Sequence, residues 1–127
     1  VTGESAYHLV DGHCDTVRRF VSAEGNYDFT CRNSTGHIDL PRLRDGGIKI
    51  QFFALYIENE FKALGALQRC LQLIDGYHST VLRCAKELQT IHTVADLKKV
   101  MQVNKLGVLL AVEGGEALDG DLSVLQE

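Results

Sequence analysis

No uninterrupted apolar run in this chain approaches the roughly 18 to 20 residues of a membrane-spanning helix. The opening Val1-Thr2-Gly3-Glu4-Ser5 also lacks the basic and apolar regions of a signal peptide. Those two absences lead to a cytoplasmic expectation, with an export signal upstream of Val1 left open because no initiator methionine is present. Neither sign of charge dominates. With 13 Lys and Arg against 17 Asp and Glu and the basic residues scattered, there is no global electrostatic reason to seek nucleic acid or an anionic membrane. The four cysteines, Cys14, Cys31, Cys70 and Cys84, form no C-x-x-C pair, which removes support for a zinc finger or a thioredoxin-like motif. On one straight helix Cys70 and Cys84 would stand about 21 Å apart, far beyond the about 7 Å that a disulfide spans, so reduced, partly buried thiols are expected. Repeats and low-complexity linkers are absent too, and 45% hydrophobic with 24% charged residues suits one globular core across residues 1–127.

What is present alternates between strand and helix patterns. Tyr7-His8-Leu9-Val10-Asp11 is short and largely apolar, and Gly12 follows it, as at the end of a buried strand. Asp39 offers an N-cap to a short helix with Pro41 in its first turn, and Gly46-Gly47 closes that helix. The segment from Ile48 to Ile57 is β-branched and aromatic, with a middle apolar on both faces as in a covered parallel sheet. After Asn59, the spacing of Phe61, Leu64, Leu67, Leu71, Ile74, Val81, Leu82, Ala85 and Leu88 predicts one long amphipathic helix, with Gly76 a candidate bend. Thr93 caps a further helix over Val94–Met101. Leu106–Val112 is the clearest strand and runs into Glu113-Gly114-Gly115, with helical character again from about Leu118. This order is that of a parallel α/β sheet, open or closed into a barrel, and a complete (β/α)8 barrel needs about 200 residues or more.

The chemistry-bearing residues sit where strands stop. Side chains at i and i+2 of an extended segment point the same way, so His13 and Asp15 can converge on one ion while Cys14 turns elsewhere. An imidazole nitrogen with a carboxylate oxygen suits Zn²⁺, whereas Mg²⁺ and Ca²⁺ favour oxygen alone. Glu113 ends a wholly apolar strand, at the carboxyl edge where α/β folds bind ligands, and a carboxylate there needs a metal or a basic partner. Asp11 shares strand parity with His13, and either orients it from behind or caps the backbone at the Gly12 turn. His37 repeats the H-x-D spacing but precedes a helix, so capping or packing is the expected role. His8, His78 and His92 are expected to be structural or exposed.

Three ordered blocks carry a resemblance. Val10-Asp11-Gly12-His13-Cys14-Asp15-Thr16, then His37-Ile38-Asp39-Leu40-Pro41-Arg42-Leu43-Arg44-Asp45-Gly46-Gly47 leading to Gln51-Phe52-Phe53, then Val112-Glu113-Gly114-Gly115-Glu116-Ala117-Leu118, resemble the membrane (renal) dipeptidase family from Leu9 to Leu125. The resemblance implies the N-terminal part of a (β/α)8 TIM-like barrel of the metal-dependent hydrolase kind, about its first three βα units. It implies two zinc ions, with His13 and Asp15 on one and Glu113 bridging both. Two further histidine ligands, a histidine and an arginine that hold substrate, and the aspartate that handles protons are implied beyond Glu127. The implied activity is two-metal hydrolysis of dipeptides, and a homodimer of the intact protein is compatible with the family. Two rivals stand beside it: another amidohydrolase-type enzyme, which more often carries H-x-H on its first strand, and a non-catalytic chain that keeps part of a metal site.

Overall fold

The computed structural model describes residues 7–21 and 27–126, so the reading of residues 1–5 lies outside it. Within them run β1 (Leu9–Asp11), α1 (Val17–Phe20), α2 (Leu40–Asp45), β2 (Ile48–Tyr56), α3 (Asn59–Lys62), α4 (Ala66–Arg83), β3 (Leu88–Thr90), α5 (Val94–Gln102) and β4 (Leu106–Glu113). Two 3₁₀ turns follow, Glu116–Leu118 and Leu122–Gln126. The strands form one sheet in the order β1-β2-β4-β3, and every pairing is parallel. This is the α/β architecture that the alternation predicts.

Local chemistry explains where the short helices begin. The Asp39 carboxylate accepts the backbone N–H of Arg42 at 3.0 Å and caps α2. At α5, the Thr93 side chain accepts from the Asp96 N–H while the Asp96 carboxylate reaches back to the Thr93 N–H, a reciprocal capping box. The single long helix after Asn59 is overturned. Gly65 lies at φ +91°, a left-handed conformation that a side chain disfavours, and it separates α3 from α4. Gly76 neither bends nor breaks α4; it lets the helix approach α1 so closely that a Cβ there would meet Val21 Cγ1 at 2.4 Å. Leu88, predicted as the last turn of that helix, instead begins β3 after a turn over residues 84–87.

The two faces of the sheet are covered by different elements. Phe53, Leu55 and Ile57 join α1, α2 and α4 in the main core, around Val17, Leu43, Leu73 and Tyr77. On the opposite face a smaller cluster of Ile50, Ile91 and Val100, with Phe52, Leu97 and Leu109 against it, fastens α5 to the sheet. Chain direction accounts for this. The route from β2 towards the far edge and the return from β3 to β4 run in opposite senses, so right-handed crossovers lay α4 and α5 on opposite faces. Gly107 makes the α5 contact close, because a Cβ there would meet Ile91 Cδ1 at 2.5 Å and Val100 Cγ1 at 3.0 Å. The lower half of the α5 face is therefore filled. Its upper half, at the carboxyl ends of β1, β2 and β4, is left for polar groups. Among the described residues, no helix is long and apolar enough to cross a membrane.

Candidate metal centre

The segment that follows β1 stays attached to the sheet beyond the last strand residue, because Ala54 N–H donates to Cys14 C=O at 2.8 Å. That bond keeps residues 13–15 extended and sets the alternation of their side chains. Cys14 packs against the main core, and burial pushes its thiol up to about 11, leaving it a protonated apolar group. His13 and Asp15 turn the other way. Glu113 is the last residue of β4 and pairs in register with Tyr56, and Gly114, at φ +86°, turns the chain away immediately after it.

These placements bring His13, Asp15 and Glu113 together, with one ligand atom from each lying within 4.8 Å of the others. His13 Nε2 stands 3.5 Å from Asp15 Oδ1 and 3.3 Å from Glu113 Oε2. Asp15 Oδ1 is buried and accepts no hydrogen bond. A carboxylate oxygen buried without a donor is costly, and an ion between it and the imidazole removes that cost, so one nitrogen and two oxygens in this arrangement fit a divalent metal with some affinity for nitrogen. Glu113 has no partner other than His13 among the described residues, which leaves its second oxygen open.

Asp11 stands behind this cluster. Its Oδ1 accepts the backbone N–H of His13 at 3.4 Å and its Oδ2 accepts Gln51 Nε2 at 2.8 Å. It therefore holds the backbone rather than the imidazole of His13. The remaining histidines lie elsewhere. His37 is exposed and borders a cavity beside Asp15, whereas the Asp39 two residues on is fully buried under α2. His8 lines a cavity at the opposite end of the strands, His78 stacks edge-on against Tyr77, and the backbone of His92 is tied to Asp96. All four cysteines are free.

Sequence reasoning missed the cationic rim. Arg18 lies over the Tyr56 ring at 5.7 Å from its centroid and Lys62 over the same ring at 4.9 Å, and Lys62 also pairs with Glu116 at 2.9 Å. The signal for Glu116 was its place in the Glu113–Leu118 block. Arg18 and Lys62 are ordinary surface positions until Tyr56 brings them to the rim.

Residues 4–127 match the sequence model of the membrane dipeptidases, peptidase family M19. Dipeptidase 3 of Mus musculus is 32% identical over 123 residues, covering 94% of this chain and 24% of the relative. Dipeptidase 3 of Homo sapiens is 32% identical over 124 residues, covering 95% and 25%. The chain thus spans about a quarter of the length of these curated relatives. Among solved structures, a metallopeptidase from Rhodobacter sphaeroides, bound to a phosphinate mimic of the dipeptide L-Ala-D-Ala, superposes with a TM-score of 0.75 at 21% identity, over 94% of this chain and 42% of that one. A second metallopeptidase, dipeptidase AC, gives 0.78 at 23%, over 94% and 39%. At those identities the likeness is one of fold: the chain has the α/β, TIM-barrel-like fold of these proteins over that share of their length.

Proposed function

This chain belongs to the membrane dipeptidase family, and from that premise we propose that the full-length protein is a zinc-dependent dipeptidase whose metal centre includes His13, Asp15 and Glu113. The observation that carries the reading is the convergence of these three side chains around a buried Asp15 oxygen with no hydrogen-bond donor. His13 and Asp15 would hold one ion, and Glu113, with one oxygen facing His13 and the other open, would be available to a second. A bound zinc pair supplies Lewis acidity to the peptide carbonyl and lowers the pKa of the attacking water. The chain's own residues set the geometry for this. Asp11 and Ala54 fix the backbone that presents His13 and Asp15, and register with Tyr56 fixes the height of Glu113. The proton-handling group and the other ligands are assigned, on the family resemblance, to parts of the full-length protein that this chain does not span.

The substrate class is a dipeptide, in keeping with the dipeptide mimic held by the Rhodobacter sphaeroides relative. Family membership weighs against an enzyme cleaving lactones or cyclic amides, as does His13-Cys14-Asp15 in place of an H-x-H pair. The test is hydrolysis of Ala-Ala stereoisomers by the purified full-length protein, with metal content measured on the same sample. Two zinc ions per chain, activity lost on chelation and restored by zinc, and a strong loss in Glu113→Gln are the expected results. Turnover indifferent to chelation would overturn the proposal.

A further inference from the structure

Beside the metal centre lies a cavity of about 310 Å³ whose wall includes Asp15, Arg18, Arg19, His37 and Glu58. The balance of charge in it is not even. Glu58 is already taken: Arg69 donates to its two oxygens at 2.6 and 3.0 Å, and these bonds hold its carboxyl below the ordinary range. Asp15 faces the metal centre. Neither Arg18 nor Arg19 forms an ion pair among the described residues. Arg18 is also held in place, since its guanidinium rests over the Tyr56 ring, and Tyr56 is the register partner of Glu113. The ring attracts the guanidinium as a cation, and the planar donor fork of an arginine matches a carboxylate with two parallel hydrogen bonds.

We propose that Arg18 and Arg19, with His37 lining the same cavity, form a subsite that receives a carboxylate of the substrate next to the centre of His13, Asp15 and Glu113. This rests on the dipeptidase reading above. A dipeptide can bring such a carboxylate in two ways, as its free C-terminus or as the side chain of an Asp or Glu residue, and the two are separable by substrate.

The experiment compares the zinc-loaded full-length protein with Arg18→Gln, Arg19→Gln and, as an outlying control, Arg83→Gln, on Ala-Leu, Ala-Glu and Ala-Leu amide, with thermal melting as the check on folding. A rise in KM of about tenfold on Ala-Glu alone, kcat holding within about twofold, assigns the subsite to an acidic side chain. The same rise on Ala-Leu and Ala-Glu, but not on the amide, assigns it to the free terminus. Either result supports the proposal. Unchanged KM on all three substrates in an active variant overturns it, and so does an equal rise on all three, the amide included. A wild-type protein that hydrolyses none of them defeats the dipeptidase reading and takes this inference with it. In metal-stripped protein, Ala-Glu binding followed by NMR should also weaken in Arg18→Gln, and equal binding by wild type and variant would count against the subsite.

Discussion

Asp15 and Asp39 are both partly or wholly withdrawn from water, yet they are compensated in different ways, and the difference predicts how each responds to substitution. Asp39 is satisfied within the chain by the N–H groups of Asn33, at 2.8 Å, and Arg42, at 3.0 Å, and by the Arg42 guanidinium at 3.2 Å. Burial acts to raise its pKa, but those donors and that charge outweigh it and hold the carboxyl below the ordinary range. A depressed folded pKa means the contribution is fully present above the unfolded value of about 3.9 and is lost as pH falls through the lower folded value. Asp39→Ala should therefore cost about 1 to 3 kcal/mol in urea unfolding at pH 7, and the gap between variant and wild type should close in acid below about pH 4. Asp15 has no such donors for its buried oxygen. Asp15→Asn and Glu113→Gln should each lower zinc affinity by about 100-fold or more in a chelator competition, whereas Asp11→Ala, which loosens only the backbone of His13, should cost about tenfold. The H-x-D pair and the strand-end glutamate were legible because polar groups interrupt apolar strands at those points. Gln51 was not: its buried amide bonds Asp11 across the sheet, and nothing in one sequence reports a partner forty positions away.

Among the elements, α2, α5, β2 and β4 were legible because their caps and strand composition are local. The stretch between residues 59 and 90 was not. Its leucines repeat at helical intervals, but the buried stripe of α4 runs through Ala66, Cys70, Leu73, Tyr77 and Thr80, while Leu71 and Leu82 are 57% and 77% exposed. Helical spacing admits either face. The choice falls to packing against β2 and α1, where Leu73 and Tyr77 fill the core and Gly76 permits the close approach of α1. The same logic makes Gly107 a tightly constrained position under α5. Gly107→Ala should destabilise the fold by about 1 to 3 kcal/mol through forced displacement of Ile91 and Val100, measurable as a lower urea midpoint with an unchanged slope. A variant as stable as wild type would mean that α5 yields without resistance.

At the scale of the whole molecule, the strand order β1-β2-β4-β3 leaves two stretches of sheet edge open among the described residues. β3 pairs only with Leu106–Val108 at the foot of β4, so the upper part of that strand has a partner on one side alone, and Val112 is exposed. On the other edge, Leu9 and Val10 of β1 are 50% and 56% exposed. Open parallel edges with apolar side chains promote association. Residues 1–127 prepared alone should give concentration-dependent oligomers in size-exclusion chromatography with light scattering, and a sharp monomer with cooperative unfolding would contradict that. The parallel α/β class was legible from alternation, but the short β3 and the reversal that puts α5 on the opposite face were not, because they depend on which strand is inserted between which. That insertion has a further bearing on the metal centre. His13 follows β1 and Glu113 ends β4, two strands that never touch, with β2 between them and 100 positions of chain separating the two residues. An ion shared by the two would act as a clasp across β2, closing a loop for which the entropy of a comparable covalent link would be about 4 to 5 kcal/mol. The entropy of closing so long a loop must be met before a contact across it can form. Zinc would then lock a sheet that has already found its register, in the manner of a final fastening rather than a seed.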